Sequence, residues 1–314
     1  MKKRILCILC AAAMLLTVTA CGRKEEGQAE KEADLTVLAT TYPVYLMANS
    51  LTEGLDGVEV LRLNTGNISC LHDYTLSVND MKMIEGADLI AMNGVGLETF
   101  MEDALAASEA AVVDCSEGVE LLENLAHHHE EGDEHDHGHY DPHIWLDPEN
   151  VALMVQNLGK ALSANDPVHA GAYAANAVKA VDYLEEQAEA MEELVEQSAL
   201  EDIGLITFHD GFQYFADAFG FELLAAIEEE AGSEASAKEI NEIAGLVKDR
   251  GIPVIFTEKN GSDATAQAIS RETGCAVGQL DMLMSGEGHD LEDYCSGLTA
   301  NIRAIVSSFG ADQG

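Results

Sequence analysis

The chain has 314 residues, 47% of them hydrophobic, enough to bury a sizeable core and to divide into two domains. Its 57 acidic residues against 16 basic ones give a formal net charge of −41 at pH 7. A surface of that sign repels nucleic acid and anionic headgroups and attracts cations, so no nucleic-acid partner is expected.

At the N-terminus Lys2, Lys3 and Arg4 precede an apolar run from Ile5 to Leu16 that ends in "TVTAC". A basic start, a short apolar stretch and small residues before a break predict an export signal over residues 1–20. The run is too short for a transmembrane helix. "VTAC" at Val18–Cys21 resembles a bacterial lipobox, which implies a lipid anchor on Cys21; a plain secretory signal is the alternative. Residues 21–34 are polar and suit a flexible tether.

From residue 35 short apolar runs alternate with amphipathic ones. "LTVLAT", "VEVLRL", "DLIAMN" and "AAVVDC" read as strands, separated by helices at "PVYLMANSL", "VNDMKMIEGA" and "ETFMEDALAAS". The alternation restarts after residue 200. There "IGLITF", "ELLAAI", "PVIFTE" and "CAVGQL" are strands, with helices between them and a last helix near 290–308. This pattern predicts an α/β fold of two βα lobes with parallel sheets, residues 35–165 and 200–314. Between them, Tyr173, Ala177, Val181, Leu184, Ala188, Met191 and Val195 share one helical face. With Asp166 as cap and Pro167 in the first turn, residues 166–199 predict one rigid helix of about 33 residues, roughly 50 Å long. A kinked pair of shorter helices is the alternative.

Four cysteines remain in the mature chain: Cys70, Cys115, Cys275 and Cys295. They allow three pairings, of which sequence proximity favours Cys70–Cys115 and Cys275–Cys295. None forms a CxxC pair, so a thiolate zinc site has no support.

Histidines carry the chemistry. Residues 127–147 read "HHHEEGDEHDHGHYDPHIWLD", seven histidines among acidic residues. Elsewhere His72 follows the second strand, His209 ends the first strand of the second half, and Asp281 follows the last strand. His143 stands just before a helix that Asp147 can cap and Pro148 can start. In open α/β sheets ligands gather beyond the carboxyl ends of strands. These four residues, two from each half, therefore point to a cleft between lobes. Three neutral imidazoles and a carboxylate suit Zn²⁺ and accept Mn²⁺ or Fe²⁺.

"HDYTLSVND", "DPHIWLDP" and "FHDGFQYFADAFG" resemble the three histidine motifs of the metal-binding substrate-binding proteins of ABC importers, and "SEASAKEI" and "VIFTEK" resemble further landmarks of that family. The likeness runs over residues 35–310. It implies two lobes joined by a long helix, His72, His143 and His209 as metal ligands, Asp281 as the fourth, and an ABC permease in the membrane as partner of a monomeric receptor. Three positions depart from the family pattern. Val78 replaces a proline, Gly211 an alanine, and "LDMLMSG" departs from Leu-Asp-Pro-Leu-Gly, which leaves Asp281 a looser ligand or one replaced by water. Met282 and Met284 read as fillers of core gaps, with soft ligation as the alternative.

A third histidine together with a His- and acid-rich insertion implies zinc within the family, manganese or iron being the alternative. His127, His128, His129, His135, His137 and His139 lie in a polar stretch without periodicity and would collect zinc weakly beside the cleft. Because binding needs deprotonated imidazoles, zinc should be released as pH falls from about 6 to 5. Two rivals remain. A zinc hydrolase lacks an HExxH helix or GxSxG turn, and Glu258 reads as a partner of a ligand histidine rather than a base. A surface adhesin lacks repeats or large apolar runs. The chain is thus expected to be a receptor and not an enzyme.

Overall fold

In the computed structural model the described residues are 34–63, 74–124, 139–200, 202–228, 236–259 and 263–310. The expected export signal, Cys21, Cys70, His72 and the loop histidines 127, 128, 129, 135 and 137 lie outside them.

The first half alternates β1 (Leu35–Ala39), α1 (Tyr42–Thr52), β2 (Val58–Arg62), α2 (Val78–Gly86), β3 (Leu89–Met92), α3 (Glu102–Ala107) and β4 (Ala111–Asp114). A helical pair follows, α4 (Pro148–Asn165) and α5 (Ala170–Gln197). The second half runs β5 (Gly204–His209), α6 (Gln213–Ala218), β6 (Glu222–Glu228), α7 (Ala237–Arg250), β7 (Val254–Glu258), α8 (Ala264–Thr273), β8 (Ala276–Leu280) and α9 (Leu291–Gly310). All strands pair in parallel, in the orders β2-β1-β3-β4 and β6-β5-β7-β8.

Both faces of each sheet are covered, which is why β1 and β5 read as near-continuous apolar runs rather than alternating ones. On β1, Leu38 faces an outer layer with Ile84 of α2, Ile90 of β3 and Ala104 of α3. On β5, Ile206 and Phe208 face a second outer layer with Val247 of α7 and Ile269 of α8. The opposite faces, including Val37 and Leu205, join one continuous core with Leu46, Leu158, Leu184, Phe215 and Ile302. That core runs through both halves. Each such buried side chain contributes about 1.5–3 kcal/mol, so the lobes share most of their stability.

The long helix is present as one unbroken element: the 28-residue α5, about 42 Å long, starts at Ala170, four residues later than expected, after α4 has ended at Asn165. Its expected cap and the cysteine pairing are corrected. Asp166 does not cap a helix starting at Pro167. Its carboxylate accepts from Val168 N (3.2 Å), His169 Nδ1 (2.6 Å) and the Tyr173 hydroxyl (2.9 Å), which closes a turn between the helices. The expected disulfides are absent, because Cys115, Cys275 and Cys295 are buried free thiols. Cys275 belongs to the outer layer of the second half, where its sulfur accepts from Thr273 Oγ1 at 3.1 Å. Cys295 sits on α9 in the shared core, its thiol pushed up to about 12 by burial. Sequence proximity misled here because adjacent elements face different layers of the sandwich.

Among the described residues no helix is long and apolar enough to cross a membrane.

Candidate metal site

His209 is the last residue of β5, and His143 precedes a short 3₁₀ turn (Ile144–Leu146) that leads into α4. Asp147 caps α4 by accepting from Glu149 N at 2.7 Å, and Pro148 occupies the first turn. The two imidazoles, each only 2% exposed, meet with Nε2 atoms 3.1 Å apart and ring planes at 87°. Two nitrogens bound tetrahedrally to one zinc at ~2.0–2.1 Å stand about 3.3 Å apart. The pair therefore already has near-chelating separation.

The outer nitrogens face carboxylates, one at hydrogen-bond distance and one beyond it. His143 Nδ1 lies 2.6 Å from Asp141 Oδ1, which also accepts from the His143 backbone N–H at 2.9 Å. A proton on Nδ1 leaves Nε2 with a free lone pair, the tautomer a metal requires. His209 Nδ1 lies 3.6 Å from Glu258 Oε1 at the end of β7. The expected partner role of Glu258 thus has a geometric basis. Asp141 was missed in the sequence, although a carboxylate two residues before a ligand histidine is a readable signal.

Neighbouring groups lock the strand ends together across the halves. Trp145 packs its ring 5.1 Å from His143 and donates from Nε1 to Met282 O at 2.8 Å. Tyr294 of α9 donates to Trp145 O at 2.7 Å. At Gly211, a Cβ would stand 2.7 Å from Met282 Cε, 2.8 Å from His209 Cδ2 and 3.0 Å from His143 Cε1. The Met282 methyl thus occupies the space that an alanine at 211 would claim. Met282 and Met284 are both buried in the shared core, where the sequence reading placed them as fillers.

Asp281 is placed differently. Its Oδ2 accepts from Lys259 Nζ at 3.0 Å and its Oδ1 from Leu283 N at 2.8 Å, while Asn301 grips its backbone from both sides. Among the described residues no group of three or more His, Cys, Asp or Glu is assembled for a metal, so Asp281 does not join the imidazole pair. Of the loop histidines, His139 is described. It stands 3.7 Å from Glu123, both well exposed, beside an isolated antiparallel bridge between Glu123 and Tyr140.

Comparison with known proteins identifies the family. Residues 37–308 match the family model "Zinc-uptake complex component A periplasmic". The zinc-binding protein AdcA of Streptococcus pyogenes is 28% identical over 97% of this chain, and the iron-binding protein YfeA of Yersinia pestis is 27% identical over 76% of each chain. The chain spans about three fifths (61%) of the AdcA relative's length. Among solved structures, a mutant of the laminin-binding adhesin Lmb of Streptococcus agalactiae superposes with a TM-score of 0.73 at 27% identity, covering 87% of this chain and 99% of that one.

Proposed function

As the chain belongs to the family of periplasmic A components of zinc-uptake complexes, we propose that it is an extracytoplasmic zinc receptor that delivers its ion to an ABC permease. The observation that carries the choice of ion is the pair of buried imidazole Nε2 atoms 3.1 Å apart, each ring backed by a carboxylate. Imidazole donors favour zinc over manganese, which prefers oxygen ligands. His72 and Asp281 are the proposed third and fourth ligands. Asp281 joins only when an ion displaces Lys259 from its carboxylate. Cys21 is the proposed lipid anchor, the receptor is monomeric, and the loop histidines are auxiliary.

With His143 protonated at Nδ1, the contact between the rings is a hydrogen bond from His209 Nε2–H to His143 Nε2. Zinc would need the Nε2 lone pair, so on capture the proton would move from Nε2 to His209 Nδ1, the side that Glu258 faces. Glu258 faces the Nδ1 side of His209, away from where an ion and its water would stand. That orientation suits a partner that sets the ring and not a base that activates water.

The test is a chelator-competition titration of mature protein lacking residues 127–139, first with Zn²⁺ and then with Mn²⁺. One tightly held zinc that manganese does not displace is expected. Loss of tight zinc binding would move the site to the loop and overturn the assignment, and displacement by manganese would overturn the choice of ion.

A further inference from the structure

The turn that follows β3 reads Asn93-Gly94-Val95-Gly96, and three successive residues adopt left-handed backbone: Gly94 at φ 93°, Val95 at 55° and Gly96 at 79°. Such a conformation is a rarity for a β-branched residue and persists only when the surroundings impose it. At Gly94 any side chain is barred as well, because a Cβ would overlap the Asp114 carboxylate and the Ser116 hydroxyl.

What imposes the turn is a buried acid. Glu98 is 4% exposed and takes three donors on its carboxylate: Thr40 Oγ1 at 2.7 Å and Asn93 N at 2.7 Å on Oε1, and Gly94 N at 3.1 Å on Oε2. Thr40 follows β1 and Asn93 follows β3, so one carboxylate ties two strand ends and the turn together. Two of the three donors are backbone N–H groups of the strained segment itself. Burial pushes Glu98 up to about 7, and the hydrogen bonds from Thr40, Asn93 and Gly94 work against that rise.

The turn in turn holds the metal site. The fully buried Asn93 side chain donates from Nδ2 to the carbonyl of Pro142 at 2.9 Å, and to Gly94 O at 3.2 Å. Pro142 lies between Asp141, which orients the His143 ring, and His143 itself. On its other side this segment is held by Asp141 N donating to Leu122 O at 2.9 Å, and by Gln213 Nε2 reaching Asp141 Oδ2 at 3.3 Å. Proline has no N–H, so the carbonyl is the one backbone group at position 142 that another element can grip.

We propose that Glu98 is a positioning residue of the metal site: by fixing the Asn93–Gly96 turn it sets the amide that grips Pro142, and so fixes where His143 stands. The inference rests on the receptor reading above and deepens it. Glu98 touches neither imidazole; it acts through Asn93. Ligand-orienting groups of this kind are worth roughly 10–100-fold in metal affinity.

The experiment is a double-mutant cycle on the full mature protein, with Glu98→Gln, Asn93→Ala and the double variant. Zn²⁺ affinity is read by chelator competition, alongside the thermal midpoint of the metal-free protein. Asp166→Asn at the distant α4–α5 turn serves as a control for general destabilisation. Each single variant is expected to weaken zinc by roughly 10-fold or more, and the double variant to be no weaker than the worse single one. The control should lose thermal midpoint and keep its affinity. If Glu98→Gln lowers only the midpoint, or if the two losses multiply, the positioning role falls. Should Glu98→Gln not fold, Asn93→Ala alone decides, since unchanged affinity there breaks the proposed path. If the unmutated protein holds no zinc, the receptor reading fails and takes this one with it; tight binding by the unmutated protein with no change in the variants sinks the positioning role alone.

Discussion

His209 and Asp281 occupy corresponding places, at or just beyond the carboxyl ends of strands, yet the imidazole pair that His209 forms with His143 and the Asp281 carboxylate are held in opposite ways. His143 and His209 are buried, turned toward each other at near-chelating distance, and each faces a carboxylate on its outer nitrogen. Asp281 is a quarter exposed at its side chain and is already engaged by a lysine cation and a backbone N–H. On the proposed reading one half of the site is prepared for an ion, and the other half would have to let go of an internal one. Capture would then take two steps: an ion would first displace the hydrogen bond between the rings, and the Asp281 carboxylate would then exchange Lys259 for the metal.

The largest effect that would break this comparison comes from the pair itself. His143→Ala or His209→Ala is expected to weaken zinc by well over 100-fold, more than losing an outer partner costs, whereas Asp281→Asn should cost about 10-fold or less. Equal losses in a chelator-competition assay would erase the distinction. Next, Gly211→Ala places a methyl against Met282, His209 and His143 at 2.7–3.0 Å, and overpacking of that kind costs about 1–3 kcal/mol. Zinc affinity should fall about tenfold, and Met282→Ala in the same chain should recover part of it. Unchanged affinity in Gly211→Ala would mean that the pair is looser than its packing shows.

A smaller effect concerns pH. Burial raises Glu98 from 4.5 to about 7, so between these values the unfolded chain ionises first and the folded state loses relative stability as pH rises. The contribution is fully present below about pH 4.5 and gone above about 7. Glu98→Gln does not titrate, so its denaturant midpoint relative to the unmutated protein should climb across that window. Asp147, raised to about 6 by burial, slopes the same way in both proteins and cancels in the difference. A flat difference would show that Glu98 is not buried as a proton-binding acid. The smallest effect is expected from Lys259→Ala, which frees Asp281. Affinity should tighten about two- to fivefold at low salt and less at high salt, because this is an exposed ion pair. Weaker binding at low salt would contradict the view of Lys259 as a competitor.

Much of the fold was legible because parallel sheets covered on both faces leave apolar runs such as "LITFH" that only buried strands explain. The placement of His143 before a capped helix and of His209 at a strand end was equally readable. The exact start of α5 was not, since Asp166 suits a helix cap in sequence and only its contacts with His169 and Tyr173 reveal a turn. Cysteine pairing failed for a related reason: sequence distance carries no information on which layer a side chain faces. Glu98 went unread because its role depends on donors from Thr40 and Asn93, 58 and 5 residues away, that converge only in the folded chain. The engagement of Asp281 by Lys259 was hidden in the same way, by two strands that pair side by side.

The most direct test of the account is a crystal structure of the zinc-loaded protein at pH above 7. The expected result is one zinc with His143 Nε2 and His209 Nε2 both at about 2.0–2.1 Å, and Asp281 turned to the ion with Lys259 released. Zinc bound elsewhere, with the two imidazoles still hydrogen-bonded to each other, would contradict it.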